Sequence, residues 1–510
     1  MRRDNGSEAA AETYTEAEIR FNRRRRTVGL LAGPVLFFFL LFFPMPALTQ
    51  QAHMLAAIMV LVVILWITEA LPMPATALLG PVLAVVLRVA PVRDAFGPFA
   101  DPIIFLFIGS FILAEAMFVH GLDRRIAYTA LSMKWVGSSP ARVLAVYGGI
   151  AAALSMWISN TATTAMMLPI GMSIVVHLRA LQPQRTREVQ RFALALMLVA
   201  AFGASIGGIG TPVGTPPNLI GIGILGRTAG INISFFRWML IGVPLVAALY
   251  AFLILYFRFV SLRGDCIEIG SATMATEELC RLGPVSQAQR NVLIAFGFTI
   301  SLWLAPGVLA LVGAGDSAVA KGLSASAPES VAAVLGALLL FVLPVDWQTR
   351  RFTLQWEEAV RIDWGIILLF GGGLALGGLA FSTGLAEAVG RGILAWVPVR
   401  GSLAFTMIFT ALAIATTEVA SNTAAATMIV PIAIAVARAA GISPLEPALG
   451  ATLGASMAFM MPISTPPNAI VYSSGYVPIT SMIRHGLALD AFAFVVIVVM
   501  VSLLGPFVAG

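Results

Sequence analysis

Apolar residues gather along the chain in runs of about 17 to 25, separated by short polar stretches. That is the length at which an α-helix crosses roughly 30 Å of hydrocarbon. The runs predict spans at about 27 to 48, 52 to 70, 73 to 91, 102 to 120, 190 to 206, 234 to 258, 291 to 312, 331 to 345, 362 to 382, 445 to 462 and 486 to 508. Arg124 to Trp135 reads as a short amphipathic piece lying in the interface. Two more apolar segments, 141 to 178 and 402 to 437, are each broken in the middle by Ser-Asn-Thr. Each is long enough for two crossings, and a mid-segment break also suits a re-entrant hairpin that enters and leaves on one side. With both as hairpins the chain makes eleven crossings. The weaker period-2 pattern of a membrane β-barrel is absent.

The breaks are copies of one another. Ser159–Ile170 and Ser421–Ile432 agree at seven of twelve positions, including Met166 with Met428 and Pro169 with Pro431. Each is followed by a second matched motif, Thr215-Pro216-Pro217-Asn218 and Thr465-Pro466-Pro467-Asn468, at offsets of 262 residues for the first motif and 250 for the second. Two ordered motifs occurring twice mark an internal duplication. All four are polar or helix-breaking and stand inside apolar sequence, where irregular backbone is tolerated only around a protected cavity.

Composition agrees: 59% of the 510 residues are apolar and 11% charged, which defines an all-α polytopic membrane protein rather than a soluble fold. The formal charge of +6 reports topology. With the N-terminus inside, 23 of the 31 Lys and Arg fall in cytoplasmic segments, Arg23 to Arg26 among them, and eight fall outside. Four crossings then precede the first hairpin and nine the second, so the two open to opposite sides. Five spans with a hairpin, repeated upside down, is the inverted-repeat plan of a secondary transporter. The basic residues are not gathered with aromatics, so no nucleic acid partner is expected. The first apolar run is too long, and lacks the cleavage site, for a signal peptide. Cys266 and Cys280 share the polar loop 261 to 290 with no histidine nearby, and read as free cytosolic thiols.

The motif-bearing segments Val143–Leu178, Phe192–Gly226, Gly401–Ala437 and Glu446–Ile483 contain no Lys or Arg. Their electrostatics come from helix ends. A half-helix begins at each Asn-Thr and another after each Pro-Pro-Asn, so four N-termini converge with free N–H groups that attract carboxylates. The carbonyls and Ser, Thr and Asn oxygens at the same tips are hard, neutral ligands suited to sodium. Glu418 is the one acidic residue near either tip, as a proton carrier, a cation ligand or a hydrogen-bonded structural group. Gly371 to Gly373 and Gly377-Gly378 read as close helix packing. Gly203-Ala204-Ser205-Ile206-Gly207 matches a hydrolase nucleophile elbow, but it lies in a membrane helix and recurs as Gly454-Ala455-Ser456. An enzyme is therefore not expected.

With these motifs, and with Trp66–Thr76 (WITEALPMPAT), the sequence from about Arg26 to the C-terminus resembles the divalent-anion:sodium symporter family, which carries dicarboxylates, citrate and sulfate. The resemblance implies an elevator-type transporter, homodimeric in the cytoplasmic membrane, coupled to sodium ions. It implies a cytoplasmic segment 1–26, scaffold helices 27–135, a transport-domain half 136–233, scaffold helices 234–401 with the loop 261–290, and a second transport-domain half 402–510 with the last span. One sodium site would use Ser155, Ser159, Asn160 and Gly208, and the other Thr417, Ala420, Asn422 and Ser464. The substrate anion would meet Asn160, Thr161, Asn422 and Thr423, with Pro216 and Pro466 close by. Some relatives exchange dicarboxylates without sodium, and a proton-coupled or sulfate carrier of the same fold stays open.

Overall fold

The computed structural model describes residues 16–136, 139–262, 271–396 and 401–508. Arg2, Arg3, Arg263, Cys266 and Arg400 lie outside them. Helix α1 (Glu16–Phe42) takes up the arginine run, so Arg23 to Arg26 are helical rather than a preceding tail. It is followed by α2 (Gln50–Thr68), α3 (Met73–Val86), the short α4 (Val92–Phe96) and α5 (Pro102–Val119). Their starts are written locally: the Thr49 hydroxyl accepts from the N–H of Ala52, and the Asp101 carboxylate from that of Ile103. The interfacial piece is α6 (Leu122–Leu131).

The first broken segment forms α7 (Pro140–Ser155) and α8 (Asn160–Leu181). Next come α9 (Thr186–Gly208), the short α10 (Pro216–Ile224) extended by a π turn, and α11 (Phe235–Val260). The polar loop holds a helix that its composition did not announce, α12 (Ser271–Arg281). Further on are α13 (Gln287–Leu311), α14 (Ala318–Ser326), α15 (Glu329–Val342), a two-stranded hairpin of β1 (Pro344–Asp346) and β2 (Arg351–Phe352), α16 (Trp356–Ala359), α17 (Trp364–Ser382) and the amphipathic α18 (Leu385–Trp396). The second broken segment gives α19 (Ser402–Thr417) and α20 (Asn422–Ala439), and the chain ends with α21 (Leu445–Gly454), α22 (Pro466–Ser473) and α23 (Ile479–Val508).

By length and composition ten helices among the described residues can cross a membrane, or eleven if α14 and α15, bent by 69°, count as one span. The total agrees with the sequence, but the members differ. The hairpin arms α8 and α20 qualify by length, whereas α3 and α21, expected as crossings, have 14 and 10 residues. Ten residues of α-helix span only about 15 Å, half the hydrocarbon core.

The shortness of α21 has a specific cause. The buried carboxylate of Glu418 accepts from the N–H groups of Phe459 at 2.7 Å and Met460 at 2.9 Å, which are thereby lost to a helical ladder. The Ala455 carbonyl, which a continuing helix would pair with Phe459, accepts instead from the Thr417 hydroxyl at 2.8 Å. Met156 stands where Glu418 would in the first copy, and α9 runs on to Gly208.

The two halves of the broken-helix region are interleaved. Helix α7 packs on α9 and α19 on α21, while α10 packs on α20 and α21 and α22 packs on α8 and α9. Among the expected packing glycines, Gly372 has no room for a side chain, since a Cβ there would stand 2.3 Å from the Ala77 carbonyl oxygen. Gly378 does not follow the expectation: nothing lies within 4 Å of its Cβ position.

Candidate functional site

At the first tip α7 stops at Ser155 and α8 starts at Asn160, with Ser159 as N-cap: its hydroxyl accepts from the N–H of Ala162 at 3.2 Å. The Ser155 hydroxyl donates to Asn160 Oδ1 at 2.7 Å. The second tip repeats this. Ser421 caps α20 by accepting from Ala424 N–H at 3.2 Å, and the Thr417 hydroxyl donates to Asn422 Oδ1 at 2.8 Å. In both copies the hydroxyl lies five residues before the asparagine, and in both it is fully buried.

The Thr-Pro-Pro-Asn motifs are as closely matched. Thr215 and Thr465 are extended, with φ of −146° and −144°, and the prolines that follow open α10 and α22, where the first turn has no use for an N–H. The side-chain amide of Asn218 donates to Gly208 O at 2.9 Å and Thr211 O at 2.7 Å. That of Asn468 donates to Ala458 O at 3.1 Å and Met461 O at 3.0 Å. Each asparagine therefore clips the turn before it to carbonyls ten and seven residues back, and holds the new helix start in place. The sequence reading singled out the prolines of this motif and left these asparagines without a role.

All four starts meet at one cavity of about 310 Å³. Each of the six residues expected to contact substrate lines it: Asn160, Thr161, Pro216, Asn422, Thr423 and Pro466. So do Ser159 and Ser464, while Ser155, Gly208 and Thr417 sit against Asn160 and Asn422 without lining it. Ala420 is buried beside the second tip, its N–H bonded to Thr416 O. No Lys or Arg is in the lining; the one ionisable side chain there is Asp363, the N-cap of α17, whose carboxylate accepts from Gly365 N–H at 2.9 Å. Met73, from the WITEALPMPAT stretch, also lines the cavity and takes a contact from the Ser421 hydroxyl at 3.3 Å.

Sodium fits the first tip by the chemistry of its donors. A Cβ on Gly208 would lie 2.4 Å from Asn160 Oδ1, and one on Gly214 would lie 2.5 Å from Gly208 O and 2.9 Å from Ser155 O. Three neutral oxygens, with the Ser155 hydroxyl bonded to one of them, crowd around backbone that carries no side chain. At the second tip the Thr417 hydroxyl joins Asn422 Oδ1 and Ala455 O, and Ser464 Oγ donates to Glu418 O at 3.0 Å. Ser464 Oγ also lies 2.8 Å from a Glu418 carboxylate oxygen, so Glu418 helps to hold this turn. Its neighbour is Asp490 on α23, a second buried carboxyl, which the sequence reading passed over although a lone acid in an apolar span is a signal in itself.

Ser205 is buried in α9 with no hydrogen-bond partner for its hydroxyl, and Ser456 is in the same state.

Comparison with known proteins decides the class. A family model described as the sodium:sulfate symporter transmembrane region matches residues 24–509. The chain belongs to this family. Within the sodium:sulfate symporter family, it is 34% identical over 488 residues to the sodium-dependent dicarboxylate transporter SdcS of Staphylococcus aureus strain USA300, covering 95% of this chain and 92% of that protein. The match to SdcS of strain MSSA476 has the same identity and coverage. Two solved transporters share the fold at 12% identity. They are YdaH of Alcanivorax borkumensis, with a TM-score of 0.54 over 96% of this chain and 98% of that one, and MtrF of Neisseria gonorrhoeae, with 0.50 over 97% and 96%. The chain is a multi-pass membrane transporter, not an enzyme.

Proposed function

We propose that the chain imports C4-dicarboxylates or related di- and tricarboxylates across the cytoplasmic membrane in symport with sodium, by an elevator movement of the broken-helix region. One observation carries this reading: two tips and two half-helix starts, built on the same plan, surround a single cavity with no basic side chain, and each tip is backed by a cluster of neutral oxygens. Helix N-termini take the two carboxylates, and bound sodium offsets their charge. SdcS, the relative that matches along nearly the whole chain, is named for sodium-dependent dicarboxylate transport.

Contacts between helix ends support an inverted arrangement of the halves. Arg25 with Glu69, Arg125 with Gln289, His120 with Thr353 O, and Arg179 over the Tyr476 ring all join ends that the alternation of spans puts inside. Arg227 with Asp101, Arg438 with Thr228 O, and Ser402 with Glu446 join ends that it puts outside. The first hairpin opens on the former side and the second on the latter.

The test is uptake of labelled succinate into proteoliposomes under an inward sodium gradient, against potassium and against vesicles preloaded with succinate. Sodium-dependent uptake into empty vesicles is expected, and Asn160→Ala and Asn422→Ala are each expected to abolish it in a folded protein. Uptake that ignores sodium but needs internal succinate would make the chain an exchanger. Normal uptake by either variant would overturn the site assignment.

A further inference from the structure

The arginine run ahead of the first span, read from the sequence as an orientation signal alone, lines a cavity of its own. About 690 Å³ lies between the start of α1 and the second tip, with Asn22, Arg23, Arg25 and Arg26 on one wall and Ser421 and Ser464 on the other. It adjoins the transport cavity, because Met73, Ser421, Ser464, Thr465 and Pro466 line both.

The basic wall is held in place. A Cβ on Gly29 would stand 1.9 Å from Thr68 Oγ1, so α1 lies directly against the end of α2. There Arg25 Nη2 donates to the Glu69 carboxylate at 2.7 Å. Glu69 caps α2 with φ at 48°, a left-handed backbone that a residue other than glycine rarely adopts, and it too lines the cavity. Arg25 Nε and Asn22 Oδ1 are buried there without hydrogen-bond partners. Three arginines against one glutamate leave two positive charges on the lining, the complement of a doubly ionised dicarboxylate. Guanidinium groups match carboxylates in geometry as well as in sign. The transport cavity next door has no Lys or Arg in its lining, whereas this adjoining cavity has three arginines.

We infer that the cavity is a second, transient carboxylate site, in which Arg23, Arg25 and Arg26 hold the substrate dianion at the face bearing the N-terminus as it passes to or from the transport site. The inference rests on the dicarboxylate reading above. Its action is on one face only. It concentrates the anion at the mouth by a field that falls off with salt.

The experiment compares wild type with Arg23→Gln/Arg26→Gln, which leaves the Arg25–Glu69 pair and the transport site untouched. Succinate is presented to each face in turn, in sealed membrane vesicles of the two orientations, at low and high ionic strength. At the face bearing the N-terminus the variant should raise KM roughly tenfold at low salt, the low end of electrostatic steering. KM at the opposite face should be unchanged, the ratio of maximal rates from the two faces shifting by the same factor because the overall equilibrium is fixed, and Arg23→Lys/Arg26→Lys, which keeps the charge but not the guanidinium fork, should restore part of the loss. An unchanged KM, or one raised equally at both faces, would overturn the inference and leave the transport reading intact. A shift seen with anionic lipid and lost in phosphatidylcholine vesicles would assign the arginines to a lipid headgroup and also overturn it. Wild type without sodium-dependent uptake from either face would remove the transport reading, and this inference with it.

Discussion

The asparagines that close the two Thr-Pro-Pro-Asn motifs allow a paired prediction, because the same perturbation can be made twice in one chain. In Asn218→Ala or Asn468→Ala, two side-chain hydrogen bonds to buried carbonyls disappear. Leaving two buried acceptors short of a partner costs roughly 2–6 kcal/mol. Against this, Oδ1 of each asparagine is itself buried without a partner in the native structure, and removing it returns about 1–3 kcal/mol. The net is a destabilisation of about 1–3 kcal/mol at each site, similar in the two halves because the bonds run to the same relative positions. Asn→Asp should be worse than Ala at both, since a carboxylate would then face two carbonyl oxygens. Tryptophan-monitored thermal unfolding of purified protein gives the stability, and succinate uptake per folded molecule gives the function. The reasoning fails if one alanine variant is silent in both assays while its counterpart is crippled, or if Asp is accepted as well as Asn.

Three further outcomes follow from other parts of the structure. Gly214→Ala would push a methyl among Gly208 O and Ser155 O, and should remove sodium-dependent uptake; retained uptake with an unchanged sodium KM would refute the first cation site. Asp363, the one carboxylate lining the transport cavity, should disfavour triply charged substrates, so Asp363→Asn is expected to raise the citrate-to-succinate uptake ratio, and an unmoved ratio would dismiss it. Burial raises the pKa of Asp123 in the interfacial α6, against the smaller lowering effect of Arg124. The native state therefore holds this proton more tightly than the unfolded chain, and its contribution is greatest below the unfolded pKa and declines as pH rises through the raised native value. Asp123→Asn should flatten that decline in unfolding midpoints measured from pH 4 to 8, and the same slope in both proteins would count against it.

The tips were legible because polar residues in the middle of an apolar segment have few physical explanations, and because Ser-Asn-Thr and Pro-Pro-Asn each write a helix start in local terms. All six expected substrate contacts accordingly line one cavity. The lengths of α3 and α21 were not legible. Residues 445 to 462 are mostly apolar, and nothing in them says that Glu418, some forty residues earlier, takes the amide hydrogens that the next turn needs. Helices α12, α14 and α18 escaped for a different reason: at 11, 9 and 12 residues they are too short to show as apolar runs of membrane-spanning length, although α12 and α18 are amphipathic. The roles of Asp363 and Asp490 depend on which distant element faces them, which is tertiary information.

The exchange of short helices between the halves bears on how the protein is made. The first hairpin is complete in sequence by Leu181, but one of the helices packed on α8 and α9 is α22, which ends at Ser473. At ~5–20 residues per second a ribosome needs roughly 15–60 s to cover that gap. During that time Asn160 and Thr161 are inserted without one wall of their cavity. A chain truncated before α22 would therefore be a ready target for quality control, and biogenesis would depend on a helix, Pro466–Ser473, made long after the hairpin it packs on.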